Sequence, residues 1–544
     1  MQDLSYKSPN AVFRLGEFVF SMELFSFQNV YTLDNDSTTI TSRTANTLEI
    51  SCSKLLWAGG QEKKSGYMKA NAILERNEIH IQTCFELCDP SETIRCAKLI
   101  FHHVPRGTVT NLIDARPREV PSEGLILHYP EAWREVGTPL IMLKNEKRYY
   151  YFRSLDNQVR AKRFILHPES KSHMRVELIF EEKASQLDKR IYIPTWIAGT
   201  TDTPAAIEAE HRNFLEKAYQ LEPWETRTDV PLWAKDISLI AAIHGQHWTG
   251  YIFNDYSAIE EKIKRLSELI DPTRLLVFLP GWEGRYYWQY GNYQPNTRMG
   301  GEAGFRRIFD TAHSLGVHVM PMFGANMGGT NMPGYQEWGA SSEQLSISGN
   351  TVQNSVDWDG SRHYDHSCNR LLNPAAPKWQ NHLFNEIHTL ADEYGFDGVF
   401  LDIAAGWNND ARYDTYAGVC KLVERLKENR PDLLVAGEAW YDGISKCIGL
   451  AQCGESAGHP NWASDAYKET VLNYTHLFGH LSLGNPDTGS TGVHELGWNP
   501  HWRVPFQKGI IPTLTLTEQP IDPISENVRV VLDDAVRYAE MFLK

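Results

Sequence analysis

Within residues 1–200, apolar and polar positions alternate in short runs. Examples are Glu78-Ile-His-Ile-Gln-Thr-Cys-Phe85, Arg175-Val-Glu-Leu-Ile-Phe180 and Lys189-Arg-Ile-Tyr-Ile-Pro-Thr-Trp196. A period of two gives a strand one buried and one wet face. Repeated at this density, with no helical pattern between, it predicts an antiparallel β-sandwich. The period changes over Thr203–Leu221, where Pro204 stands near a helix start and Ile207, Phe214, Leu215 and Tyr219 fall on one face. This predicts a linking helix within residues 201–230.

From Pro231 the pattern becomes strand, loop, helix. Ile237–Ile243, Arg274–Leu279, Val317–Phe323, Gly398–Asp402 and Leu433–Glu438 are almost unbroken apolar runs. Strands without alternation are buried on both faces, as in a parallel sheet sheathed by helices. Helical patterns cover Ser257–Ile270, Ala303–Leu315, Pro377–Tyr394 and a last stretch near 523–543, and Ile511–Leu516 supplies another strand. The expected fold of residues 231–544 is therefore a (β/α)8 barrel, with strands six and seven inside 455–500. The rival, an open doubly wound sheet, is disfavoured because no GxGxxG or GxxxxGKT follows any of these strands.

Barrel active sites form at the C-terminal ends of the strands. Here those ends read His244-Gly-Gln-His247, Gly281-Trp282-Glu283, Gly324-Ala-Asn326, Asp402 and Glu438-Ala-Trp440. Asp402 and Glu438 each close an apolar run, where a carboxylate is costly unless it is paired or used. On adjacent strands about 4.8 Å apart, two such groups can approach to the roughly 5 Å that a retaining glycosidase uses. One carboxylate attacks or stabilises the anomeric carbon while a neutral acid protonates the leaving oxygen. Asp402 at the barrel mouth suits the ionised part, and Glu438, among Leu433, Val435 and Trp440, the neutral acid. The segment 281–293 holds six aromatics in thirteen residues, interleaved with Gly, Glu, Arg, Gln and Asn. That composition suggests a loop offering flat platforms for sugar rings, with packing over the barrel mouth as the alternative. The expected substrate contacts are His244, Trp282, Glu283, Trp288, Asn326, Trp407, Trp440 and Asp487. Glu518, closing the last strand, rivals Asp487 as a third carboxylate.

The run Asp397-Gly-Val-Phe-Leu-Asp402 followed by Gly437-Glu438 resembles the (β/α)8 glycoside hydrolases of the α-amylase and α-galactosidase type. In those families a strand-four aspartate is the nucleophile, and in the α-amylase superfamily a strand-five glutamate in a Gly-Glu pair is the acid/base. The run Asn373-Pro374, Trp379-Gln380 and Tyr394–Asp402 also resembles a glycosyl-hydrolase-like family with a β-domain before its barrel, over about residues 200–450. The resemblance implies a retaining enzyme, an α-linked glycoside or oligosaccharide as substrate, Asp402 as nucleophile and Glu438 as acid/base. Phe400 stands where amylases carry Arg, so a true α-amylase is not expected.

Composition narrows the alternatives. Gly 39 and Pro 27 in 544 residues, with 42% hydrophobic, are ordinary for a globular chain. The net charge of −15 and the lack of a basic run argue against nucleic acid as partner. No window is apolar enough for a membrane span. Lys7, Arg14 and Glu17 interrupt the start of the chain where a signal peptide needs an apolar core, so a cytoplasmic location is expected, or a secreted one if a leader has been removed. The eight cysteines form no CxxC pair and read as small buried hydrophobes in a reducing compartment. No cofactor is expected. Two histidines and three aspartates within 357–366 are the best metal candidate but match no known ligand spacing, so a substrate-contacting loop or solvated turn is the preferred reading. A metal-dependent non-hydrolytic barrel enzyme and a catalytically silent carbohydrate-binding protein are the competing functions.

Overall fold

The computed structural model describes all residues except 1–9, 114–116, 133–134, 147, 248–249, 285–287, 353–368, 453–464, 480–503 and 544, and only the backbone of 42–43, 465–467 and 527. The chain divides into two compact units, Met1–Tyr219 and Gln220–Lys544.

The first unit is built on one fifteen-stranded sheet whose pairings are antiparallel. The alternating runs fall where expected: Glu78–Leu87 pairs with both Glu62–Glu75 and Arg190–Thr201. The sheet is continuous rather than split in two, and it curls so that distant strands face each other. Phe101 meets Phe152 at 5.5 Å between ring centroids, and Trp196 meets Phe164 edge-on at 5.6 Å. A large apolar core fills the curl, running from Phe13 and Phe20 to Phe180 and Trp196. The helix Pro204–Tyr219 belongs to this unit, and its Ile207 joins a small cluster with Leu140, Met142, Tyr151 and Ile197.

The second unit is a barrel-like parallel sheet. Its strands are β1 (Leu239–Ile243), β2 (Leu275–Leu279), β3 (His318–Gly324), β4 (Gly398–Asp402), β5 (Leu434–Glu438), β6 (Leu450–Gln452), β7 (His476–Phe478) and β8, which Pro512 divides into Ile510–Ile511 and Thr513–Leu516. Neighbours pair in parallel from β1 through to β8. The second half of β8 pairs with β1, so the sheet closes on itself. Of the two strands expected inside 455–500, β7 lies there and β6 precedes it. Both are three residues long, too short for a periodic signal.

Between strands run α1 (Tyr256–Ser267), α2 (Gly301–Leu315), α3 (Pro377–Tyr394), α4 (Thr415–Asn429) and α5 (Asp465–Leu472), with α6 (Glu526–Phe542) after β8. Local chemistry fixes their ends. Asp255 and Asp414 accept from the backbone N–H of Ala258 and Ala417 as N-caps. Pro377 opens α3, and Gly395, at φ 76°, closes it. Inside the closed sheet, Phe278, Phe400 and Phe478 pack with centroids 4.6 to 6.0 Å apart. Phe400 is thus part of the apolar layer beneath the strand ends, and Asp402, two residues on, shares its face of the strand. Among the described residues, no helix is long and apolar enough to cross a membrane.

Candidate active site

Asp402 and Glu438 end neighbouring strands in register, Leu401 lying opposite Gly437. Their carboxyls are close enough to share a hydrogen bond. Asp402 is only 5% exposed, whereas Glu438 is half-buried. Burial, and then the charge of Glu438, push the Asp402 carboxyl well above the usual carboxylate range. Burial thus falls on the opposite member of the pair from the one the sequence singles out: Asp402 is the carboxyl whose ionisation is suppressed.

Tyr290 supplies the opposing influence. Its hydroxyl donates to Asp402 Oδ2 at 2.6 Å, which favours the ionised form. Gly324 makes this contact possible. It pairs with Asp402 across β3 and β4, and a Cβ there would lie 2.2 Å from the Tyr290 ring. Gly324→Ala is therefore expected to drive the fully buried ring off Asp402, lowering kcat roughly 100-fold and Tm by several degrees through overpacking. Unchanged turnover would show that the Tyr290 contact is dispensable.

The backbone at both carboxyls is unusual. Ile403 and Ala439, the residues immediately after them, have φ of 57° and 63°. A β-branched residue in that region is a true outlier, costing about 1–3 kcal/mol and persisting only where neighbours enforce it. The enforcers are visible. Ile403 N–H donates to Glu438 Oε2 at 3.0 Å, and Asn326 Nδ2 donates to the Ile403 carbonyl at 3.1 Å. Glu438 and Asn326 thereby hold Ile403, the residue that follows Asp402, at its N–H and its carbonyl.

Glu283 is a third buried carboxyl. It is 3% exposed, and neither oxygen has a hydrogen-bond partner among the described residues. Burial pushes it up to about 8, and its charge contributes to the shift at Asp402. The native state then holds this proton more tightly than the unfolded chain does. The stabilisation is complete below the unfolded value and is lost as pH rises through about 8. Glu283→Gln is expected to be more stable than the wild type, by a gain that grows to a few kcal/mol between pH 5 and pH 8. Parallel Tm-against-pH curves for the two proteins would contradict this.

The remaining expected contacts do not share one environment. Trp282 is core rather than platform: it is fully buried, stacks on Phe305 at 4.7 Å and donates from Nε1 to the Met322 carbonyl at 3.0 Å. Trp440 is likewise buried, with Nε1 donating to Ser445 Oγ at 2.7 Å. Neither ring offers a face to a sugar. His244 is fully buried at the end of β1, edge-on to Phe253, and burial holds its imidazole well below the usual range. Trp288 and Trp407 are half-buried, Asn326 is buried and Glu518 is exposed. Asp487 and the cluster 357–366 lie outside the described residues. Among the described residues, no group of three His, Cys, Asp or Glu is arranged to hold a metal ion. Tyr290 is the residue that sequence reasoning missed, hidden in the aromatic segment 281–293.

A family model described as a domain of unknown function, DUF6259, matches residues 201–416. No curated protein matches the sequence. Solved structures do share the architecture. A ligand-free α-N-acetylgalactosaminidase from Bifidobacterium bifidum aligns with TM-score 0.65 at 13% identity, covering 98% of this chain and 94% of that one. The same enzyme with GalNAc bound gives TM-score 0.67 at 11% identity, covering 98% and 93%. An α-galactosidase from Lactobacillus brevis aligns with TM-score 0.51 at 12% identity, over 96% of this chain and 74% of that one. At such identities the likeness is one of fold: the chain shares the architecture of these solved structures.

Proposed function

We propose that this chain is a retaining glycoside hydrolase acting on an α-linked sugar, with Asp402 as nucleophile and Glu438 as general acid/base. Residues 231–544 serve as its catalytic (β/α)8 barrel. The observation that carries the reading is the hydrogen-bonded contact of two carboxyls at neighbouring strand ends, one buried and one half-buried. An inverting pair stands about 6.5–9.5 Å apart to hold a water, and this contact leaves no such gap. The α-linkage is suggested by the named activities of the structural neighbours, an α-N-acetylgalactosaminidase and an α-galactosidase.

The Tyr290 hydroxyl stabilises the negative charge on Asp402. Asp402 attacks the anomeric carbon while Glu438 delivers the proton to the departing oxygen. Glu438 next takes a proton from the water that releases the sugar. Glu283 and the Asn326 Oδ1, buried oxygens with no hydrogen-bond partner among the described residues, supply acceptors for sugar hydroxyls. Trp288 and Trp407, both half-buried, are the remaining aromatic faces for the ring.

Turnover of paired aryl α- and β-glycosides tests this reading. Aglycone release from α-glycosides supports it, and binding of sugars without release from any member would favour a silent binding protein.

A further inference from the structure

Six described cysteines are unpaired, and they are not equivalent. Cys88 is exposed, Cys52 and Cys96 are buried, and Cys84 is intermediate. Cys420 and Cys447 stand apart because their sulfurs are 2.9 Å from each other. Cys420 lies in α4, the helix after β4, and Cys447 closes the 3-10 turn Asp442–Lys446 after β5. Both line a cavity of about 560 Å³, together with Asp229, Val423, Lys427 and Lys446. That volume lies within the range of small-molecule pockets.

We propose that Cys420 and Cys447 form a reversible dithiol/disulfide site that exchanges with small disulfides entering this cavity. A disulfide needs sulfurs about 2.05 Å apart, so closure takes under about 1 Å of side-chain movement. The two thiols differ as attacking and resolving groups should. Cys420 is partly exposed on a cavity lined by both signs of charge, Lys427 and Lys446 with Asp229, Glu424 and Glu428, so access rather than charge selects the reagent. Cys447 is 7% exposed, and burial keeps its thiol protonated.

Exchange proceeds in two displacements. The Cys420 thiolate attacks one sulfur of the small disulfide, and the other sulfur leaves as a thiolate. That thiolate takes the Cys447 proton. The Cys447 thiolate then attacks the Cys420 sulfur, forming the internal bond and expelling the second small thiolate, which takes up the proton that Cys420 lost on ionising. Two protein thiols are oxidised and one small disulfide is reduced to two thiols. The bond would tie together the elements that directly follow the two carboxyl-bearing strands.

The test treats the full chain with oxidised glutathione, blocks remaining thiols and maps cysteines by mass spectrometry without reduction. A linked 420–447 peptide, removed by dithiothreitol, is expected, with Tm about 5 °C higher in the oxidised protein because a 27-residue separation is cross-linked. In Cys447→Ser, glutathione should instead remain on Cys420. Full alkylation of Cys420 and Cys447 after oxidation of the wild type, with glutathione on Cys88 alone, would overturn the proposal without any variant having to fold.

Discussion

Asp402→Asn is expected to lower turnover of an aryl α-glycoside by roughly 10⁴-fold or more, a loss of about 5 kcal/mol of transition-state stabilisation. The substitution is nearly isosteric and retains an oxygen for the Tyr290 hydroxyl, so the site should keep its shape. Stability should hold or rise, because a buried carboxyl in contact with Glu438 is replaced by a neutral amide. Removing the side chain entirely, as Asp402→Gly, leaves room for azide. Azide would then displace the aglycone in one step and give a glycosyl azide of configuration opposite to the substrate. Near-normal activity in Asp402→Asn would remove this residue from the chemistry.

Glu438→Gln is expected to spare activated substrates and disable the rest. A leaving group that needs a proton, such as a second sugar, should lose about 10²–10⁴-fold, while an aryl group that departs unaided loses far less in its first step. The amide oxygen can still accept from Ile403 N–H, so the strained peptide beyond Asp402 stays clamped. With Asp402 intact the glycosyl-enzyme still forms but hydrolyses slowly. Azide should intercept it, restoring turnover and giving a glycosyl azide with the substrate's own configuration. The opposite azide outcomes of the two variants distinguish nucleophile from acid/base. Equal losses for good and poor leaving groups in Glu438→Gln, without azide rescue, would contradict its assignment.

Much of the barrel was legible because its strands are buried on both faces, which writes an unbroken apolar run such as Leu239–Ile243 or Leu275–Leu279. The carboxyl pair was legible for the same reason, since Asp402 and Glu438 interrupt such runs at their C-terminal ends. Three things were not. Alternation reports the faces of a strand but not how strands join, so the curled single sheet of the first unit could not be told from two stacked sheets. The aromatic segment after β2 reads as one composition, yet the fold uses its rings differently. Trp282 stacks into the core on Phe305 while Tyr290 reaches Asp402, and the choice depends on Gly324, distant in sequence. The left-handed backbone at Ile403 also runs against local preference and exists only because Glu438 and Asn326 hold it.

Retention at the anomeric carbon is the most direct consequence of a nucleophilic Asp402 beside Glu438. Proton NMR of wild-type hydrolysis of an aryl α-glycoside, recorded before mutarotation, reads it in one experiment. The first-formed free sugar is expected to be the α-anomer, with the β-anomer growing in only as equilibrium is approached. A β-anomer formed first would mean single displacement by water, which requires carboxyls about 6.5–9.5 Å apart. Asp402 would then act as a base, and the double-displacement mechanism built on this pair would be wrong.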